Sequence, residues 1–210
     1  MAYSIDIYDS KWKVVSAFAL DEKLFCDEII NPTLIHEYYL LQMSNARNNP
    51  AKTKGRWEIN GSGKKLYKQK GTGNARAGGK SSPTRKGGGV AFGPRGVQNF
   101  TKLMTKKARK IALQWLISMK AKDSEIVGIQ SLDFTAPKTK LAADLLTTLG
   151  LASKKIVVVL DKNDETLKKS FRNLADVKYL LVDYLNPYDI MHADKLLFTE
   201  AALTLLNTTK

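Results

Sequence analysis

Cysteine is all but absent: Cys26 is the only one in 210 residues. A lone thiol closes no internal disulfide and builds no cysteine-rich zinc site, so the chain reads as a protein of a reducing compartment. It is long enough to bury a core without such staples, which excludes the small disulfide scaffolds. Histidine is nearly as scarce, with His36 and His192 the only two. No stretch of about 18 apolar residues occurs, and the N-terminal MAYSIDIYDSKWKVV has no apolar core behind a basic start. Neither a membrane span nor a secretory leader is therefore expected. The expectation is a soluble, cytoplasmic protein with no membrane partner.

Acidic residues are the next shortage. Twenty Asp and Glu face 34 Lys and Arg, a net charge of +14. That balance points to a polyanionic partner, with acidic substrates and anionic lipid as alternatives. The imbalance is local: between Asn45 and Lys110 stand 18 bases and a single acid, Glu58, whereas the remainder holds 16 bases and 19 acids. Glycine divides the same way, 12 of the 14 lying between Gly55 and Gly96. The large apolar residues of 45–96 are only Trp57, Ile59, Leu66, Tyr67, Val90 and Phe92. They bury too little to offset the entropy of ordering so long and glycine-rich a segment. Residues 45–96 are thus expected to form an extended or disordered Gly/Lys/Arg-rich excursion that orders on a partner, inserted into a globular domain of residues 1–44 and 97–210.

Outside that segment the patterning is globular. Tyr3, Ile5 and Ile7, then Trp12, Val14 and Phe18, mostly alternate around an Asp9-Ser10 turn and predict a hairpin. Asn31-Pro32 starts a helix with Leu34, Tyr38 and Leu41 on its apolar face, ending near Ala46. Met104, Ala108, Ile111, Trp115 and Met119 make a second helical stripe. Lys106, Lys107, Arg109 and Lys110 cluster at its start, where cations oppose the helix dipole; an anion beside them and a plain solvated face both account for that. The chain then alternates: strand 125–130, helix 137–149, strand 155–160 buried on both faces, a helix bearing Leu167, Phe171 and Leu174, strand 177–183, a short helix from Pro187, strand 195–199 and a last helix to about Leu206. The fold class that follows is α/β, a mainly parallel sheet with packed helices and right-handed crossovers, with the long basic loop inserted after the first long helix.

Such a sheet makes an enzyme the natural competitor, since ligands sit beyond the carboxyl ends of its strands. The parts are missing. Gly79-Lys80-Ser81 resembles the end of a P-loop, but Asn74 stands where its first glycine is required, and Gly71-Thr72-Gly73-Asn74-Ala75-Arg76 lacks the last glycine of a dinucleotide fingerprint. No strand leads into either. Asp161, Asp164 and Asp183 follow strands where carboxylates can gather a metal, yet Asp before a helix is the usual capping residue, and capping is the favoured reading. His36 and His192 stand on separate helices without paired ligands, Gly61-Ser62-Gly63 has the wrong spacing for a nucleophile elbow, and Cys26 has no recognisable base. No catalytic residue, metal or cofactor is expected.

The basic segment is better equipped. Lys64, Lys65, Lys68, Lys70, Arg76, Lys80, Arg85, Lys86 and Arg95 place cations at short intervals among glycines that let backbone approach phosphates. Trp57, Tyr67 and Phe92 offer rings for unpaired bases, which favours folded RNA with loops and bulges over regular duplex. A solvated charge run is the plain alternative.

The stretch GSGKKLYKQKGTGNAR, Gly61 to Arg76, followed by Ser82-Pro83 and by GGGVAFGPRG, Gly87 to Gly96, resembles the signature loop of the bacterial ribosomal protein L-four family. APKTKLA, Ala136 to Ala142, and the element order to the C-terminus are similar to that family too, while the first 30 residues match least. The resemblance implies a structural component of the large ribosomal subunit and no enzyme. It implies an α/β domain on the ribosomal surface and a loop that threads large-subunit rRNA, bound early in assembly. By position it implies rRNA contacts at Lys64, Lys65, Tyr67, Lys68, Lys70, Arg76, Lys80, Arg85, Lys86 and Arg95. It also implies a loop tip, Gln69, Lys70, Gly71, Thr72, Gly73 and Asn74, in the wall of the polypeptide exit tunnel. The implied partners are large-subunit rRNA, neighbouring large-subunit proteins, the nascent peptide and, through the globular domain, a messenger RNA leader. The family usually carries Pro-Trp-Arg where this chain has Leu66-Tyr67-Lys68, and Arg where it has Asn74.

Overall fold

The computed structural model describes residues 3–9, 13–22, 25, 30–132, 134, 136–151 and 153–208. Trp12 and Cys26 lie outside the described residues. The chain divides into two compact units, residues 1–44 with 102–210, and residues 45–101. The first holds every named helix and strand but the last residue of the first helix.

It begins with β1 (Ser4–Tyr8) and β2 (Val14–Ala19), an antiparallel pair with Ile5 opposite Phe18 and Ile7 opposite Ser16. Ile5 and Ile7 are buried while Ser4 and Asp6 are exposed, the two-residue period of a strand with one covered face. The hairpin is the predicted one, with a bulge between Ile7 and Tyr8. Helix α1 (Pro32–Asn45) follows, the Asn31 side chain accepting from the Thr33 amide at 3.0 Å ahead of Pro32.

The rest of this unit alternates strand and helix: α2 (Lys106–Lys122), β3 (Ile126–Ile129), α3 (Thr139–Thr148), β4 (Ile156–Leu160), α4 (Glu165–Phe171), β5 (Val177–Leu181) with a 3-10 turn at Val182–Tyr184, α5 (Pro187–His192), β6 (Lys195–Thr199) and α6 (Glu200–Thr208). The six strands form one sheet in the order β2-β1-β3-β6-β4-β5, parallel except for β1 with β2. This is the α/β class the patterning predicts.

Beta4 and β6 lie inside the sheet, and the apolar run of β4 is buried along its whole length. Its side chains alternate between two cores. Val157 and Val159, with Leu196 and Phe198 of β6, pack with Ala112, Leu116 and Ile117 of α2, Ile190 of α5 and Leu203 of α6. Ile156, Val158 and Leu160, with Leu197, pack with Ala142 and Leu146 of α3 and Leu167 and Phe171 of α4. Helices therefore cover both faces, as a parallel sheet requires.

One expectation is corrected. Of the stripe Ala108, Ile111, Trp115 and Met119, Trp115 packs against the core, but Ile111 and Met119 are exposed, at 40 % and 39 %, and Ala112, Leu116, Ile117 and Ser118 are buried in their place. Met104 precedes the helix, which Thr105 caps. The inward face is turned by about one residue, and the buried Ser118 hydroxyl is satisfied by donating to the Gln114 carbonyl at 2.9 Å.

Candidate nucleic-acid interface

Residues 45–101 build their unit from turns and paired arms, with a single isolated bridge between Lys52 and Arg95. The arms are tied by the Thr53 amide donating to Pro94 O at 2.9 Å and the Val90 amide to Lys54 O at 3.0 Å, while within the returning arm the Gly89 amide donates to Ser81 O at 3.0 Å. Gly89 is required there: a Cβ on it would lie 2.4 Å from the Arg56 nitrogen and 2.5 Å from its Cα. Farther along, the Leu66 amide donates to Gly78 O at 3.2 Å, and the Tyr67 hydroxyl donates to Ala75 O.

These two bonds close a loop whose turn carries Gly71 and Gly73 at φ +82° and +67°, conformations glycine adopts without a Cβ penalty. Gln69, Lys70, Gly71, Thr72, Gly73 and Asn74, the predicted tip, lie within that turn and are all exposed. Lys65 donates to the Gln69 side chain across it. Of the predicted contact residues, Lys64, Lys65, Lys68, Lys70, Arg76, Lys80, Lys86 and Arg95 are exposed, and Tyr67 and Arg85 are half-buried.

The unit holds thirteen Lys and Arg and one acid, Glu58. Glu58 is engaged internally: its carboxylate lies 2.9 Å from Lys52 Nζ and accepts from the Gly55 amide at 3.0 Å. The Lys52 hydrogen bond, helped by the Gly55 amide, holds this carboxyl below the ordinary glutamate value, so it stays ionised and spent on the turn. The remaining cations have no carboxylate within the unit to neutralise them. Two arginines lie over rings, Arg56 at 5.4 Å from the Trp57 centroid and Arg47 at 4.2 Å from that of Phe100. Lys52, Arg47 and Arg56 were not singled out from sequence; the sole acid of a basic segment was the clue to Lys52, since it demands a partner close by.

The sequence comparisons agree with one another. The model of the ribosomal protein L4/L1 family matches residues 18–209. The chain is similar to the large ribosomal subunit protein uL4 of Leifsonia xyli subsp. xyli, 41 % identical over 97 % of this chain and 91 % of that one. It is likewise similar to uL4 of Geobacter sp. strain M21, 41 % identical over 95 % and 94 % of the two chains, and of Halothermothrix orenii, 37 % identical over 93 % of each. The chain belongs to the ribosomal protein L4/L1 family. Its members are ribosomal proteins and not enzymes, and of the enzyme-like features of this L4/L1 chain Asp164 has a structural role. Gly79-Lys80-Ser81 opens no helix; the Ser82 amide turns back to Gly79 O at 3.4 Å.

Asp164 caps α4, its Oδ1 accepting from the Thr166 amide at 2.8 Å and the Thr166 hydroxyl at 2.7 Å, and these bonds lower its pKa. Asp161 is half-buried after β4, and Asp183 is exposed in the 3-10 turn. His36 is exposed on α1, while the His192 ring lies 4.3 Å from that of Tyr188 between α5 positions one turn apart. No group of three or more His, Cys, Asp or Glu suited to a metal occurs among the described residues. At the start of α2, Lys106 and Lys107 are exposed and Arg109 and Lys110 half-buried. Burial raises the Tyr38 hydroxyl above its usual value, with the Arg109 charge acting the other way.

Proposed function

We propose that this chain is a structural constituent of the large ribosomal subunit, in the cytoplasm, that binds large-subunit rRNA early in assembly through residues 45–96. The observation that carries this reading is the charge of that segment: thirteen cations against one acid, and that acid already spent on Lys52 and Gly55. Polyanionic RNA supplies the charge to neutralise so many. Lys64, Lys65, Tyr67, Lys68, Lys70, Arg76, Lys80, Arg85, Lys86 and Arg95 contact the rRNA, and the turn from Gln69 to Asn74 forms part of the exit tunnel wall, where nascent peptide passes. The globular unit meets neighbouring large-subunit proteins.

The test is a sucrose gradient in high salt with tagged protein. The full chain should stay with the large subunit, and deletion of residues 55–96 should release it. Release of the full chain with intact subunits left behind would overturn the threaded arrangement and leave the globular unit's binding to a messenger RNA leader as the reading to pursue.

A further inference from the structure

Within residues 45–101 lies a cavity of about 580 Å³ whose walls include Trp57, Phe92, Val90, Val97, Lys52 and Arg95. Its size falls in the roughly 300–1,000 Å³ range of small-ligand pockets. Its walls are unusual for open surface. Trp57 is 91 % exposed and Phe92 fully so, and the Phe92 backbone holds φ at +55°, where a bulky residue is a genuine outlier. A large ring kept in water on a strained backbone gains nothing from folding by itself. Neither ring hangs on slack chain. The Trp57 turn is fixed by the Glu58 amide on Gly55 O at 3.0 Å and the Gly55 amide on Glu58, and the Phe92 arm by the Val90–Lys54 and Thr53–Pro94 hydrogen bonds.

The charge around the cavity says what fits. Arg95 lines it, Arg56 lies over the Trp57 ring, and the one carboxylate of the lining, Glu58, is bonded to Lys52 and Gly55, with Arg95 close enough for its charge to act on it as well. An apolar peptide or a second copy of this chain would leave those cations unanswered, and a second copy would add like charges. A nucleotide answers both features, since any base has a face that stacks on an aromatic ring and each carries a phosphate. We infer that this cavity takes one unpaired nucleobase of the bound RNA, stacked on the exposed rings of Trp57 and Phe92, with its phosphate held by Arg95. The inference rests on the RNA-binding reading of this unit and adds a defined stacking site to it.

Three RNA hairpins with one common stem test it against the full chain by fluorescence anisotropy: fully paired, with a single-nucleotide bulge, and with the same bulge made abasic. The bulged hairpin should bind about 10-fold tighter than the other two, the scale of one base stacked on an aromatic ring. Trp57→Ala and Phe92→Ala should each erase most of that preference while leaving the fully paired hairpin and its salt dependence unchanged. Both rings are exposed, so neither truncation hollows the core. Trp57→Phe should keep the preference and abolish the quenching of tryptophan emission that the bulged hairpin causes. Equal binding of the three hairpins, or a Trp57→Ala loss shared equally by all, would overturn the stacking site while the RNA-binding reading stands. No binding of any hairpin even at low salt would overturn that reading as well.

Discussion

Glu58 sits alone among thirteen cations, and its bonds turn it into part of the scaffold. Because the folded carboxyl is held below its ordinary value by Lys52 and Gly55, its ordering effect is fully present above that value and is lost as pH falls through the lowered one. The Gly55 amide resonance should follow this titration, and in Glu58→Gln it should become flat across the acid range; a Gly55 amide that titrates identically in both proteins would refute the pairing. Gly89 makes a second residue-level case, since its amide bonds Ser81 and its missing Cβ admits the Arg56 backbone. Gly89→Ala should speed tryptic cleavage within residues 45–101 without changing the melting of the globular unit. Gly61→Ala is the control, because nothing lies within 4 Å of a Cβ there. Equal cleavage rates in the two variants would mean the arms do not meet at Gly89.

At the scale of elements, what decided legibility was how many faces of an element are covered. Beta4 sits between β6 and β5 and under helices on both sides, so burial demands an apolar residue at every position and IVVVL announces itself. The α4 cap at Asp164 was equally readable, because a carboxylate ahead of a helix has a local job. The span of α1 was legible from Asn31-Pro32, and its face in part: Leu34 and Tyr38 pack against the core as read, but Ile35, the one fully buried residue, is lost among Leu34, Tyr38, Tyr39, Leu40, Leu41 and Met43, apolar side chains that run most of the way round the helix. In α2 the sequence offered Ala108, Ile111, Trp115 and Met119 as its stripe, and packing kept Trp115 but set Ala112, Leu116 and Ile117, not Ile111 and Met119, against the sheet. The cavity at Trp57 and Phe92 was not legible, because residues 35 apart meet only when the arms pair. Leu116→Ala should cost about 2–5 kcal/mol in urea denaturation, and Ile111→Ala a small fraction of that. The reverse order would restore the stripe read from the sequence.

At the scale of the molecule, the charge is divided between the two units. Residues 45–101 carry thirteen Lys and Arg against one acid, while residues 1–44 and 102–210 together hold 21 against 19. Net charge alone would make every lysine equivalent in RNA binding; a localised interface would not. If about ten phosphates are neutralised, log affinity falls with log salt at a slope of roughly −7 to −9. Replacing Lys64, Lys65, Lys68 and Lys70 with alanine removes four contacts and should flatten that slope by about 3. Replacing Lys140, Lys162, Lys168 and Lys169, exposed on or beside α3 and α4, changes the net charge by the same amount and should leave the slope where it was. Filter binding of rRNA fragments across a salt series measures both. Equal flattening in the two variants would mean that the chain attracts RNA as a diffuse polycation and that the 45–101 unit holds no privileged interface.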